Sequence, residues 1–199
     1  MLPDTIQKFI QIFSRLPSIG PRQATRLAFR LIGWGPARIA ELGRVMSGLA
    51  NVKICKQCFF VHTNENTICP ICADTHRAQD IFMIVEKETD LISIERTGKY
   101  AGKYLILGEL TKSGALDENH ARRIEVFKNI LTSLPDKKAR EIIIGLNPST
   151  YGDLYTYTLT KELTPYTEKI TRLGRGIPTG GEIEFADEDT LGHSLERRV

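Results

Sequence analysis

The sequence predicts an α/β protein in which a helical head precedes a doubly wound parallel sheet. Three observations predict it. Residues 1–50 repeat apolar side chains at helical spacing, residues 53–75 contain all four cysteines and little periodicity, and strands alternate with helices from residue 80 onward. We expect four segments, with boundaries at 1–52, 53–77, 78–174 and 175–199.

The first 50 residues predict three helices. In residues 4–15 the apolar side chains Ile6, Phe9, Ile10 and Phe13 share one side. The stretch LPSIG at 16–20 breaks this pattern, and Pro21 suits the first position of a second helix. A further break at GWGP, residues 33–36, precedes a third helical pattern over 37–49.

The remaining elements follow from apolar runs and periodicity. We expect strands at 80–86, 103–108, 140–146 and 169–173, with helices at 89–97, 120–132 and 152–163. The tail after residue 175 is rich in turn residues, then acidic, and ends in a short helical pattern. Residues 142–153, IIIGLNPSTYGD, are a buried strand followed by a loop, the position where α/β proteins collect functional groups.

Composition bounds the partners. The chain has 199 residues, 41% of them hydrophobic, and a net charge of +3. Residues 1–60 contain nine Lys or Arg and two acids, a net charge of +7. This asymmetry indicates a polyanion partner for the head, or an ordinary solvated helical face.

No apolar run approaches a membrane span, and the first residues lack a signal-peptide pattern, so we expect a cytoplasmic protein without a membrane partner.

The four cysteines predict a metal site. Cys55, Cys58, Cys69 and Cys72 form two C-x2-C pairs separated by ten residues. Each pair can present two thiolates from a tight turn, and two pairs complete a tetrahedral site for one structural zinc. A redox pair or a lost metal is the alternative. His62 and His76 lie nearby, but four thiolates need no further ligand.

The turn between the first two helices has the pattern of a helix-hairpin-helix DNA-binding module. Backbone amides at the start of the second helix can hold a phosphate, and Arg22 and Arg26 share one face. We expect Gly20 to supply the open backbone geometry of the turn. The alternative is a plain helix–helix turn with surface arginines. The candidate DNA contacts are Arg15, Ser18, Gly20, Arg22, Gln23 and Arg26.

Taken in order, these parts resemble the RecR family of bacterial recombination mediators. The resemblance rests on LPSIGP at 16–21, the four cysteines, the VE…D pattern at 85–90 and GIPTGGEIEFADEDTL at 176–191. It implies that the α/β part is a Toprim domain, a fold shared with topoisomerases, primases and some nucleases. It also implies no enzymatic activity, binding to single- and double-stranded DNA, and partners RecO and RecF that help to load RecA at gaps.

The resemblance also implies which residues of this chain match the metal-binding acids of catalytic Toprim enzymes. Catalytic Toprim enzymes hold Mg²⁺ through a Glu after the first strand and acids after a later strand. Here the matching positions are Glu86, Asn147, Ser149, Tyr151 and Asp153, with Asp90 nearby. Two central carboxylates are replaced by neutral residues, so Mg²⁺ would bind weakly. The resemblance instead assigns Glu86, Asp90, Asn147, Tyr151 and Asp153 to RecO docking or to residual Toprim acids.

Two alternatives remain open at this point. One is a Mg²⁺-dependent Toprim nuclease or topoisomerase that uses Glu86, Asp90 and Asp153. The other is a module whose zinc knuckle and basic helices bind only proteins.

The resemblance further implies a homotetrameric ring around DNA, association with the nucleoid during repair, and a tail with a Walker B-like segment. The chain contains no G-x-x-x-x-G-K-[ST] phosphate loop, so we interpret that tail as a structural contact between subunits.

Overall fold

The structure, a computed structural model, describes residues 2–112, 114–174, 176–196 and 198. Arg175, the first residue of the predicted tail, lies outside the described residues. The chain divides into two compact units, Met1–Val52 and Lys53–Val199. Among the described residues, every helix is too short or too polar to span a bilayer.

The N-terminal unit consists of three helices: α1 (Asp4–Phe13), α2 (Pro21–Ile32) and α3 (Pro36–Gly48). Its core is small. Ala24, Ala28 and Leu31 on α2 are buried, whereas α1 and α3 contain no buried residue. The unit therefore leaves large apolar side chains exposed, which are Leu2, Ile12, Leu16, Phe29, Ile32, Trp34, Ile39, Val45, Met46, Leu49 and Val52.

The second unit begins with the cysteine segment. A short hairpin, β1 (Lys53–Ile54) and β2 (Val61–His62), is followed by one helical turn, α4 (Pro70–Ala73). Residues 53–75 showed no periodicity in the sequence because elements of two to four residues are too short to display any.

The predicted parallel sheet is confirmed. Its strands are β3 (Ile81–Val85), β4 (Lys103–Ile106), β5 (Glu141–Gly145) and β6 (Ile170–Arg172), arranged in the order β4-β3-β5-β6. The connecting helices are α5 (Glu88–Glu95), α6 (Glu118–Thr132) and α7 (Thr150–Leu163), and the tail ends in α8 (Glu188–Glu196). The central strand β3 pairs with β4 on one side and β5 on the other.

Alternating side chains of β3 divide the core into two layers. Phe82 and Ile84 pack with α6 and α7, through residues such as Phe127 and Leu159. Met83 and Val85 point to the opposite face and pack with Leu91 of α5 and all four cysteines. The cysteine segment thus covers one face of the sheet. Two contacts fix it there: the Ile106 amide donates to the Cys58 carbonyl (2.9 Å), and Lys103 Nζ donates to the Cys72 carbonyl (3.0 Å).

Candidate metal centre and nucleic-acid interface

The four cysteine sulfurs form one compact, buried cluster. Cys55, Cys58, Cys69 and Cys72 are each at most 6% exposed, and their Sγ atoms all lie within 4.8 Å of one another. The Sγ atoms of Cys58 and Cys69 lie 3.4 Å apart. A tetrahedral ion with bonds of about 2.3 Å separates its sulfur ligands by about 3.8 Å. The donor set and its spacing therefore fit a metal ion.

The electrostatics of the cluster also fit a cation. Backbone amides of Gln57 and Cys69 donate to Cys55 Sγ at 3.4 and 3.3 Å, and the Phe60 amide donates to Cys58 Sγ at 3.4 Å. Such bonds favour thiolates. Without a cation the thiols must share protons: hydrogen bonding to Cys55 and burial raise the pKa of Cys58, and the bond from Cys58 lowers the pKa of Cys55.

Neither nearby histidine joins the cluster. His76 is fully exposed and bonds to Asp74, whereas His62 is buried on β2 at 7% exposure. Neither ring nitrogen of His62 has a hydrogen-bond partner among the described residues. The cluster is the only group of three or more metal-ligating side chains found in the described part of the chain.

The carboxyl end of the sheet brings Glu86 and Asn147 together. Val85 is paired with Gly145, so the residues that follow β3 and β5 emerge at the same edge. Glu86 is 7% exposed, and both its oxygens are engaged: Asn147 Nδ2 donates to Oε2 at 2.9 Å, and Lys87 Nζ lies 3.2 Å from Oε1. The hydrogen bond between the Lys87 ammonium and Glu86 raises the pKa of Lys87. The carboxylate is therefore satisfied by groups of the protein.

The other residues assigned to this edge also have structural partners. Asp90 Oδ2 accepts from the Lys87 amide (2.9 Å) at the start of α5, and Asp153 forms an ion pair with Arg172. Ser149 caps α7 by accepting from the Gly152 amide (3.1 Å). Tyr151 is 41% exposed. Asp90, Asn147, Ser149 and Asp153 line one open cavity of about 1000 Å³, together with the tail residues Asp187 and Asp189.

Two residues of this edge were missed from the sequence. Lys87 and Arg172 are the cations that pair with Glu86 and Asp153. Arg172 could have been found, because it ends β6 next to β5, and parallel neighbours place their carboxyl ends together. Lys87 offered no signal beyond its adjacency to Glu86.

In the N-terminal unit, α1 and α2 are joined by residues 14–20. The expected role of Gly20 in this turn is wrong. Gly20 is extended (φ −86°), whereas Ser18 adopts the left-handed region (φ 63°). A Cβ on Gly20 would meet no atom within 4 Å. The fold of this chain therefore does not require glycine at position 20.

The predicted DNA-contact side chains lie exposed around this turn. Arg22 and Arg26 occupy successive turns of α2, and Arg30, which the sequence analysis left out, continues the row by one more turn. Gln23 instead accepts the Gly20 amide at 3.4 Å. The only ion pair in the described part of this unit is Lys8 with Asp4. The arginines, including Arg15 after α1, are thus available to an anionic ligand.

Comparison with known proteins identifies the family. A Toprim-domain model matches residues 80–174, and a model described as RecR, C-terminal, matches residues 176–199. The recombination protein RecR of Roseiflexus castenholzii is 36% identical over 100% of this chain and 95% of its own length. Those of Chloroflexus aggregans and Bifidobacterium animalis subsp. lactis are 35% and 38% identical, each over 97% of this chain and over 92% and 94% of their own lengths. The chain therefore belongs to the RecR family of recombination proteins, whose role lies in recombination repair.

Proposed function

We propose that this protein is a non-catalytic, DNA-binding recombination mediator that works with RecO and RecF to load RecA onto gapped or single-stranded DNA. The observation that carries the proposal is the row of exposed arginines on α2, Arg22, Arg26 and Arg30, none of them paired with a described acid. Contacts of this kind bind phosphates without reading sequence, which suits a protein that acts at any gap.

The absence of catalysis is supported by the state of Glu86. In a metal-dependent enzyme this carboxylate would be free to hold Mg²⁺, but here an Asn147 amide and the Lys87 ammonium occupy its oxygens. An amide NH₂ is a donor and repels a cation at that position. We infer that the edge of the sheet is a protein-docking surface, with Glu86, Asp90, Asn147, Tyr151 and Asp153 as the candidate RecO contacts.

The metal in the cysteine cluster is, in this proposal, one structural zinc. Four thiolates close a tetrahedral site and leave no position for a reacting water. The cluster belongs to the core layer that covers β3, with Met83 and Val85 against it. Its role is to hold residues 53–77 on the sheet.

Ring formation is supported by unpartnered apolar side chains. On and after α3, Val45 is 64% exposed and Leu49 is 67% exposed; in the tail, Ile183 and Phe185 are 68% and 80% exposed. Patches of this kind mark protein interfaces. We propose a homotetramer that encircles DNA, located in the cytoplasm and on the nucleoid during repair. Val45→Glu should lower the mass measured by light scattering.

The central test uses labelled gapped duplex with purified protein and Mg²⁺, run on native and denaturing gels. The wild-type chain should retard the DNA and leave its strands intact. Arg22→Glu with Arg26→Glu should abolish retardation, since the two positions reach adjacent phosphates, while zinc content and thermal stability stay unchanged.

The matched control is Arg38→Glu with Arg44→Glu, which makes the same charge change on α3. Retardation that survives in the Arg22/Arg26 variant, or is lost equally in the control, would refute the hairpin assignment. Cut strands on the denaturing gel would instead show a Toprim enzyme and overturn the non-catalytic proposal.

A further inference from the structure

A second basic concavity lies in the Lys53–Val199 unit, which the hairpin assignment does not use. One face of α6 presents Asn119, Arg122, Arg123 and Val126, at helical spacings i, i+3, i+4 and i+7. Opposite them stand Lys56 and Phe59 of the cysteine segment. Between the two elements is a cavity of about 420 Å³, which we call the basic groove.

The basic groove carries three cations and no acid. Lys56 and Arg122 are exposed, and no carboxylate is among the residues that line it. No ion pair involves Lys56, Arg122 or Arg123 in the described part of the chain, although several other Lys and Arg side chains of this unit are paired. Arg123 also feels the carboxylates of Glu88 and Asp117, but neither lines the groove. Three cations in a concave site without a lining acid attract an anion of more than one charge.

Arg123 is held in place at the base of the groove. Its guanidinium lies 4.8 Å from the centroid of the Phe59 ring, and Nη1 donates to the Ile106 carbonyl at 2.8 Å. A guanidinium fixed by stacking and one hydrogen bond keeps its other N–H groups oriented, so little entropy is lost when they bind a ligand. Arg123 is thus preorganised at the base of the groove, and the exposed side chains of Lys56 and Arg122 lie at its rim.

The cations are not explained by the sulfur cluster next to them. Cys55 also lines the groove, and thiolates attract positive charge. The described hydrogen bonds to the Cys55 and Cys58 sulfurs, however, come from the backbone amides of Gln57, Phe60 and Cys69 and from the Cys69 sulfur, and none comes from a Lys or Arg side chain. Lys56 and Arg122 side chains extend into solvent and make no such bond among the described contacts.

We propose that the basic groove is a second nucleic-acid contact, in which Lys56, Arg122 and Arg123 bind the phosphodiester backbone and the Asn119 amide adds a donor. The inference rests on the proposed DNA binding and extends its footprint to the second unit. Guanidinium forks match phosphate oxygens, and the role of the family in recombination repair supplies the polyanion. Binding through this groove is independent of base sequence.

The test measures how DNA affinity of the full-length chain depends on salt. Lys56→Glu with Arg122→Glu is compared with Lys138→Glu and Lys161→Glu, a pair of exposed lysines elsewhere in the same unit. Each phosphate contact contributes about 0.9 to the slope of log affinity against log salt. The groove variant should lower that slope by about 2 and weaken binding at least tenfold in low salt, whereas the control pair should match the wild type.

The other outcomes separate the two proposals. If the wild-type chain binds no DNA, the proposed function and the groove both fail. If the hairpin variant loses binding but the groove variant behaves like its control, only the groove fails. Loss of zinc from the groove variant, measured by mass spectrometry, would mean that these cations neutralise the thiolates. Tighter Arg122-dependent binding of a poly-glutamate peptide than of DNA would mean an acidic protein partner; either result overturns the inference.

Discussion

The cysteine cluster packs on one face of the parallel sheet, and Glu86 lies with Asp90 and Asp153 at the carboxyl end of its strands, here called the Glu86 edge. Both regions have the sequence pattern of a metal site. In the cluster the four sulfurs lie within 4.8 Å of one another, and the described hydrogen bonds to them are weak: backbone amides donate to Cys55 and Cys58, and Cys58 and Cys69 share one sulfur–sulfur contact. At the carboxyl end of the sheet each acid already has partners of its own. Glu86 contacts the Asn147 amide and the Lys87 ammonium, Asp90 accepts from the Lys87 backbone amide, and Asp153 pairs with Arg172. Ligand-type residues make a metal site only when their lone pairs converge and are not already satisfied.

The largest effect should come from breaking the cluster. Cys58→Ser should abolish metal binding and lower the free energy of unfolding by several kcal/mol, because Cys58 is fully buried and structural zinc supplies about 10–16 kcal/mol in isolated fingers. Metal content by mass spectrometry and thermal unfolding check it. The control is His76→Ala, which alters an exposed ligand-type residue outside the cluster. A Cys58→Ser protein with one zinc per chain would contradict the assignment.

The next effect concerns the loop that holds Asn147. A Cβ on Gly152 would lie 2.0 Å from the Asn147 carbonyl oxygen, a backbone atom that cannot move alone. Gly152→Ala should therefore destabilise the protein by about 3 kcal/mol, the upper range for overpacking. Gly43→Ala is the control: it lies in α3, where a Cβ meets no atom within 4 Å, and should be neutral or stabilising. Equal melting temperatures for the two variants would argue against the Asn147 loop geometry.

A smaller but more diagnostic change converts the edge toward a metal site. Asn147→Asp removes the donor to Glu86 and adds a like charge, so it should destabilise by about 2 kcal/mol without divalent ions. The loss should be smaller at pH 5 than at pH 8, because one carboxyl of a close pair binds a proton more readily and then donates to the other.

Mg²⁺ should restore part of this stability in Asn147→Asp and none of it in Asn147→Ala, which loses the donor without gaining charge. Thermal unfolding with and without Mg²⁺ distinguishes the two variants. If Asn147→Asp were as stable as wild type and indifferent to Mg²⁺, the Asn147 amide would not be what separates this edge from the cysteine cluster.

The sequence predicted the central strands well because they are apolar runs, IFMIV in β3 and EIIIG in β5, between turn residues, and such runs are typical of buried parallel strands. The cysteine spacing likewise predicted the cluster, since the ligand residues are themselves the signal. The partners of the edge acids were not predicted. The Glu86–Asn147 bond joins positions 61 residues apart, and only the strand register brings them together.

The turn between α1 and α2 shows a second limit of what the sequence could predict. Arg22 and Arg26 were predicted correctly to lie on one exposed face, because helical spacing determines it. Ser18, not Gly20, adopts the left-handed conformation, since Pro21 follows Gly20 and biases it toward extended backbone. Residue identity alone did not reveal which position of LPSIG turns the chain.

The smallest effect should come from the ion pair at the rim of the edge. Asp153 and Arg172 are each nearly half exposed, at 45% and 47%, so their attraction is screened by water and salt. Arg172→Ala should lower the free energy of unfolding by about 0.5 kcal/mol, and less in 1 M salt than in 0.05 M. Denaturant unfolding at the two salt concentrations measures it. A loss above about 2 kcal/mol would mean that the Arg172–Asp153 pair contributes as much stability as the Asn147–Glu86 hydrogen bond. In that case the exposed acids of the edge, and not only the buried Glu86, would be held by protein groups that compete with a metal.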